Sequence, residues 1–176
     1  EKPWSFPIWS RGPRRGRYNG AMRRFRVGLA QINPTVGDLE GNVAKIRAGL
    51  AQAHDLGCRL VAFPELAVTG YPPEDLLLKP AFLAHARDVL DRFASETGEV
   101  VAVVGFPEVD ERGLHNAAAI CHGGAVVGTY RKHLLPNYAV FDEQRYFDAV
   151  PADGPLAVVA GVRVGVTICE DAWSAT

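Results

Sequence analysis

The chain has only three cysteines, Cys58, Cys121 and Cys169, in 176 residues. A sparse, odd, widely spaced set cannot build a disulfide framework, which points to a reducing compartment, the cytoplasm. No two of them stand at zinc-ligand spacing. The five histidines, His54, His85, His115, His122 and His133, include no HxxxH pair, so no metal site is expected. His54 and Cys58, four apart at a helix end, read as packing. No apolar run approaches the roughly 20 residues that a membrane helix requires. Charge of one sign is also lacking. The formal net charge is −1, which gives nucleic acid or an acidic membrane nothing to attract globally.

The first 21 residues lack periodicity. They hold Arg11, Arg14, Arg15 and Arg17 with three prolines, and no continuous apolar stretch of a secretory signal. A basic nucleic-acid arm or an organellar address is one reading. A disordered or extraneous leader before a start at Met22 is the reading favoured here, because nothing downstream supports a nucleic-acid role.

From Met22 onward, hydrophobic patterning is strong. The runs at 25–32 and 58–63 have strand length. Between them Asp38 can cap a helix, with Leu39, Val43, Ile46, Leu50, Ala53 and Leu56 at helical spacing and Gly57 ending it. A Pro-rich loop follows. Pro80 suits a first helical position, and Phe82, Leu83, Ala86, Val89, Leu90 and Phe93 mark a second helix face. Val100–Phe106 reads as a strand. The segments 114–122 and 125–131 flank Gly123–Gly124, a hairpin turn. A long polar and aromatic loop covers His133 to Ala149. The segments 156–160 and 162–168 form another strand pair around Gly161. Strand and helix alternation followed by hairpins implies a mixed α/β sheet. Nothing after Cys169–Thr176 covers that part of the sheet, so the chain is read as a fragment. Val and Ile side chains of 162–168 are expected to lie exposed, leaving the isolated chain aggregation-prone or only partly folded and with little activity.

Three polar residues sit just beyond the ends of apolar strands: Glu65, Lys132 and Cys169. In α/β sheets, sites collect at carboxyl ends of strands, so a carboxylate, an amine and a thiol are candidates for one pocket. Their chemistry is coherent. A carboxylate can take the thiol proton, the thiolate can attack an amide carbonyl, and an ammonium can stabilise the oxyanion. Each also has a plain alternative: an inert core cysteine, and solvated charges for the other two. A Cys–His pairing of Cys169 with His115 or His133 also stays open, without a protease signature beside it.

The surrounding strings FPELAVTGY (63–71), YRKHLLPNY (130–138) and TICEDAW (167–173) resemble the three catalytic motifs of the nitrilase, or carbon–nitrogen hydrolase, superfamily, in that family's order. The resemblance covers the chain from Met22 to its end. It implies an α/β fold of the α-β-β-α sandwich type, incomplete at the C-terminus, with residues 22–176 a partial hydrolase domain. It implies Glu65 as general base, Lys132 as oxyanion stabiliser and Cys169 as nucleophile. GYPPEDLLLKPAFL (70–83), LPNYAVFDEQRYF (135–147) and EDAW (170–173) resemble the glutaminase branch that serves NAD synthesis. That branch implies Glu143 as a supporting glutamate beside the lysine, and Tyr138 and Tyr71 as parts of the glutamine pocket and its wall. It also implies glutamine as substrate and no cofactor for the hydrolysis. The synthetase domain, absent here, would use ATP and magnesium to amidate nicotinic acid adenine dinucleotide, and the complete protein would be a homo-oligomer. A stand-alone amidase or nitrilase, and a truncated remnant without catalysis, are the competing expectations.

Overall fold

The computed structural model describes residues 25–151 and 156–173, so the leader expected at residues 1–21 lies outside the described residues. Strand β1 (Val27–Leu29) leads through a turn to helix α1 (Leu39–Asp55). Asp38 caps α1 by accepting a hydrogen bond from the Gly41 amide at 3.0 Å, as the sequence predicts. Strand β2 (Leu60–Ala62), a 3-10 turn (Glu74–Leu78) and helix α2 (Pro80–Ser95) follow. The hairpin strands are β3 (Val101–Asp110), β4 (Gly113–His122) and β5 (Ala125–Arg131); the small strands β6 (Leu156–Val159) and β7 (Val162–Gly165) come last.

Strands β1 to β5 form one sheet in chain order. β1, β2 and β3 run parallel, β4 is antiparallel to β3, and β5 is antiparallel to β4. The carboxyl ends of β2, β3 and β5 therefore meet at one end of the sheet. β6 and β7 form a separate antiparallel pair.

Alternation along the central strands assigns each side chain to one of two cores. Val61, Ala102, Val104, Phe106, Ala117 and Ala119 face α1 and α2. Leu60, Val101, Val103, Ala118 and Ile120 face the β6–β7 sheet. Burial on both faces explains why these strands read as continuous apolar runs. The Val and Ile side chains of 162–168 behave differently from the expectation that they lie exposed. Val162, Val164 and Val166 are half-buried and Ile168 is buried, while Arg163, Gly165 and Thr167 take the exposed side. The period of two turns the apolar set toward the sheet. The exposed apolar residues on that face are instead Val27 and Leu29 of β1 (44% and 83% exposed), which pair with Leu60 and Ala62.

The β3–β4 hairpin extends further than the apolar pattern indicates, through Pro107 to Asp110, where polarity rises as the strands leave the core. Gly123 and Gly124, both at positive φ (57° and 86°), make the β4–β5 turn. No helix among the described residues is long and apolar enough to cross a membrane.

Candidate active site

Each of the three candidate groups enters the site from the end of a strand. β2 runs into Phe63 and Pro64 and delivers Glu65. The turn that follows lies directly on β3. A Cβ on Gly105 would sit 2.4 Å from the Leu66 amide nitrogen and 2.6 Å from the Pro64 carbonyl oxygen. Only a glycine permits that approach. Leu66, next to Glu65, is fully buried with φ of 48°, a left-handed conformation that costs a non-glycine residue about 1–2 kcal/mol. The surrounding packing holds it there.

Lys132 is the first residue beyond β5, and its amide extends the ladder by donating to the Asn116 carbonyl at 2.8 Å. Its side chain is fully buried. The ammonium donates to Glu65 Oε1 at 2.7 Å and to both Glu143 oxygens, at 2.9 and 2.8 Å. Glu143, itself buried, stands in a short 3-10 turn (Glu143–Arg145) within the 133–149 loop and receives a second donor, the Tyr71 hydroxyl, at 3.0 Å. Burial works against charge on Lys132. The hydrogen bonds to Glu143 and Glu65 outweigh it and hold the lysine pKa above its ordinary value. Glu143 is pushed up, first by burial and also by the nearby Glu65 charge, with Lys132 opposing. Two carboxyl groups thus share one cation.

Cys169 follows Ile168 and opens a 3-10 turn (Cys169–Ala172) with φ of 45°. Glu65 and Cys169 line the same cavity of about 290 Å³, between the two sheets. The thiol is held above its ordinary value, by burial first and by the Glu65 charge second, while Lys132 pulls the other way. Burial thus favours the protonated thiol, and the Glu65 carboxylate in the same cavity is a base available to deprotonate it.

The turn carrying Cys169 is tied to the end of β5 through a buried carboxylate. Asp171 accepts from the Tyr130 hydroxyl at 2.6 Å and from the Leu134 amide at 2.8 Å, and His133 Nδ1 lies 3.0 Å away. His133 is thereby committed to Asp171 and Tyr130. His115 bridges Asp110 and the Asp148 carbonyl. Neither histidine hydrogen-bonds Cys169, and the Cys–His pairing has no support among the described residues.

Of the two tyrosines expected at a substrate pocket, Tyr138 donates to Glu170 Oε2 at 2.9 Å, next to Cys169 in sequence. Tyr71 braces Glu143 and lines a second cavity of about 260 Å³ with Pro73 and Tyr146, apart from the one that holds Cys169 and Glu65. Sequence reasoning passed over Asn116, Glu170 and Asp171 as functional groups. A lone amide at the start of the apolar run Ala117–Cys121 was the available signal for Asn116, since Asn is depleted in strands. No group of three or more metal-ligating side chains assembles among the described residues.

The carbon–nitrogen hydrolase family model matches residues 26–176. The chain is 50% identical over 156 residues to a glutamine-dependent NAD(+) synthetase from Thermotoga maritima, a match that covers 87% of this chain and 27% of that protein. The solved structure of a glutamine-dependent NAD+ synthetase from Acinetobacter baumannii, in complex with ADP, superposes with a TM-score of 0.80 at 42% identity, over 85% of this chain and 28% of that one. An amidase from Nesterenkonia sp. shares the fold, with a TM-score of 0.69 at 24% identity over 87% of this chain and 59% of that one. The chain thus spans little more than a quarter of the length of the curated synthetases it matches.

Proposed function

The chain belongs to the carbon–nitrogen hydrolase family, and from that premise we propose that it hydrolyses the side-chain amide of glutamine through a Cys169 thioester. The released ammonia supplies the ATP- and magnesium-dependent amidation of nicotinic acid adenine dinucleotide to NAD, carried out by a synthetase domain of the same protein in the cytoplasm. The names of the relatives support the nitrogen donor and the product. The observation that carries the reaction type is the buried Lys132 ammonium held by Glu65 and Glu143 beside a thiol that shares its cavity with Glu65.

Glu65 takes the proton from Cys169 Sγ as sulfur attacks the amide carbon. The oxyanion that forms is stabilised by the Lys132 ammonium, a charge already desolvated and oriented before substrate arrives. Glu143 keeps that charge in place. The amide nitrogen receives the proton back from Glu65 and leaves as ammonia. Glu65 then draws a proton from water, which attacks the thioester; the C–S bond breaks, glutamate leaves, and Glu65 returns its proton to the Cys169 thiolate. None of these steps calls for a metal or an organic cofactor. Glu170, next to Cys169 in sequence and hydrogen-bonded by Tyr138, offers a carboxylate to the substrate's α-ammonium group.

The test separates the two nitrogen sources. In the intact protein, Cys169→Ala is expected to abolish glutamine-supported NAD formation and to leave ammonia-supported formation largely unchanged. Equal loss with both sources in a folded variant would overturn the division of labour.

A further inference from the structure

We propose that Asn116 is a positioning residue that selects which Glu65 oxygen acts as the base, an inference that rests on the amide-hydrolysis reading above. Asn116 stands in β4, 1% exposed, opposite Pro107 of β3 and at the same end of the sheet as Glu65 and Lys132. Its side-chain amide nitrogen donates to Glu65 Oε1 at 2.7 Å. Lys132 donates to that same oxygen at 2.7 Å. Oε1 therefore carries two donors, and no donor among the described residues engages Oε2. The carboxylate is made unsymmetrical: one oxygen is clamped, and the other is left to exchange a proton with the thiol.

The main chain of Asn116 contributes as well. Its carbonyl accepts from the Lys132 amide at 2.8 Å. One residue thus sets the base through its side chain and the lysine through its backbone, and fixes the spacing between them. The amide can face only one way. Turned over, its oxygen would meet Oε1, acceptor against acceptor.

A second observation separates this role from ordinary packing. Asn116 Oδ1 is buried and has no hydrogen-bond partner among the described residues. An unpaired buried acceptor is a net cost to folding, and an apolar side chain of similar size would remove it. The amide is present at the expense of stability, next to Ala117, Ala118 and Ala119 of the same strand, where it reaches Glu65.

The experiment uses the intact protein with Asn116→Leu, which keeps the branched shape and removes both donor and orphan acceptor. The expected result is a fall in kcat for glutamine hydrolysis of about 10–100-fold, the size of a lost hydrogen bond to a charged group, with KM changed less than about twofold because Asn116 faces Glu65 and not the substrate. Alkylation of Cys169 by iodoacetamide, which needs no substrate, should slow in the same variant as it does in Glu65→Gln, with Cys169→Ala as the labelling control. The melting temperature should hold or rise. A purely structural Asn116 predicts the reverse, a lower melting temperature with kcat and alkylation unchanged, and that result overturns the proposal. If Asn116→Leu does not fold, Asn116→Ala is read by kcat and alkylation in the same way. Should the wild type fail to hydrolyse glutamine while Asn116→Leu still slows alkylation, the substrate reading falls and the positioning role stands. Should Glu65→Gln leave alkylation unchanged, both fall.

Discussion

At Lys132 one buried cation answers to two carboxylates, and this arrangement has a sharp energetic consequence. Removing the cation leaves Glu65 and Glu143 facing each other with little water. Lys132→Met is expected to destabilise the fold by about 3–5 kcal/mol, as for a buried ion pair broken from one side. Changing Glu143 to Gln in the same molecule should recover part of that loss, because it removes the repulsion. A double-mutant cycle by urea denaturation measures the coupling. Glutaminase activity should be absent in both variants that lack the lysine. By contrast, Glu143→Gln alone should remain folded and lose activity, since the ammonium then has one anchor where it had two.

Two contacts between elements position the site. The Glu65 turn lies on β3 across Gly105, and the Cys169 turn is joined to β5 by Asp171. Gly105→Ala forces a methyl group against backbone atoms at 2.4 and 2.6 Å, which cannot move aside as a side-chain tip could. The expected outcome is displacement of the Glu65 turn. Activity should fall at least tenfold, since a shift of about 1 Å in reacting groups is worth up to roughly a hundredfold, while far-UV circular dichroism of the helices stays unchanged. Asp171→Ala would take the carboxylate acceptor from the Leu134 amide and from the Tyr130 hydroxyl, which keeps only His133 at 3.2 Å. Each buried donor left unpaired costs about 1–3 kcal/mol, so this substitution should lower both the melting temperature and the activity, whereas Gly105→Ala loses mainly activity.

For the molecule as a whole, the site's charge couples to stability at high pH. The Lys132 pKa is raised above its ordinary 10.5 by its two carboxylate partners. Its contribution is therefore fully present below pH 10.5 and is lost as pH rises through the higher folded value. Denaturation midpoints of the wild type should decline above that pH more steeply than those of Lys132→Met, which has no proton to lose there. Equal slopes would show that the buried ammonium is not linked to folding. The two-core layering makes this effect global, because the sheet that carries Lys132 also separates the helical core from the β6–β7 core.

Much of this was legible in the chain itself. Helices α1 and α2 follow from apolar spacing, the Asp38 cap and Pro80 at the first helical position, all local properties of consecutive residues. Buried strands announce themselves by unbroken apolar runs, and Glu65, Lys132 and Cys169 by the motifs around them. Lengths were less legible: the 25–32 run forms only a three-residue strand, and β3 continues past its apolar stretch to Asp110. Strand ends depend on which neighbour offers a ladder, a fact stored elsewhere in the chain. The same reason hid the contacts of Asn116, Asp171 and Tyr71. Their partners lie 51, 41 and 72 residues away in sequence. Local patterning determined the elements and the chemistry they carry. Only the folding of parallel β1, β2 and β3 onto the β4–β5 hairpin decided that a carboxylate, an ammonium and a thiol would share one end of the sheet, because contact between residues so far apart is set by packing and not by any neighbouring side chain.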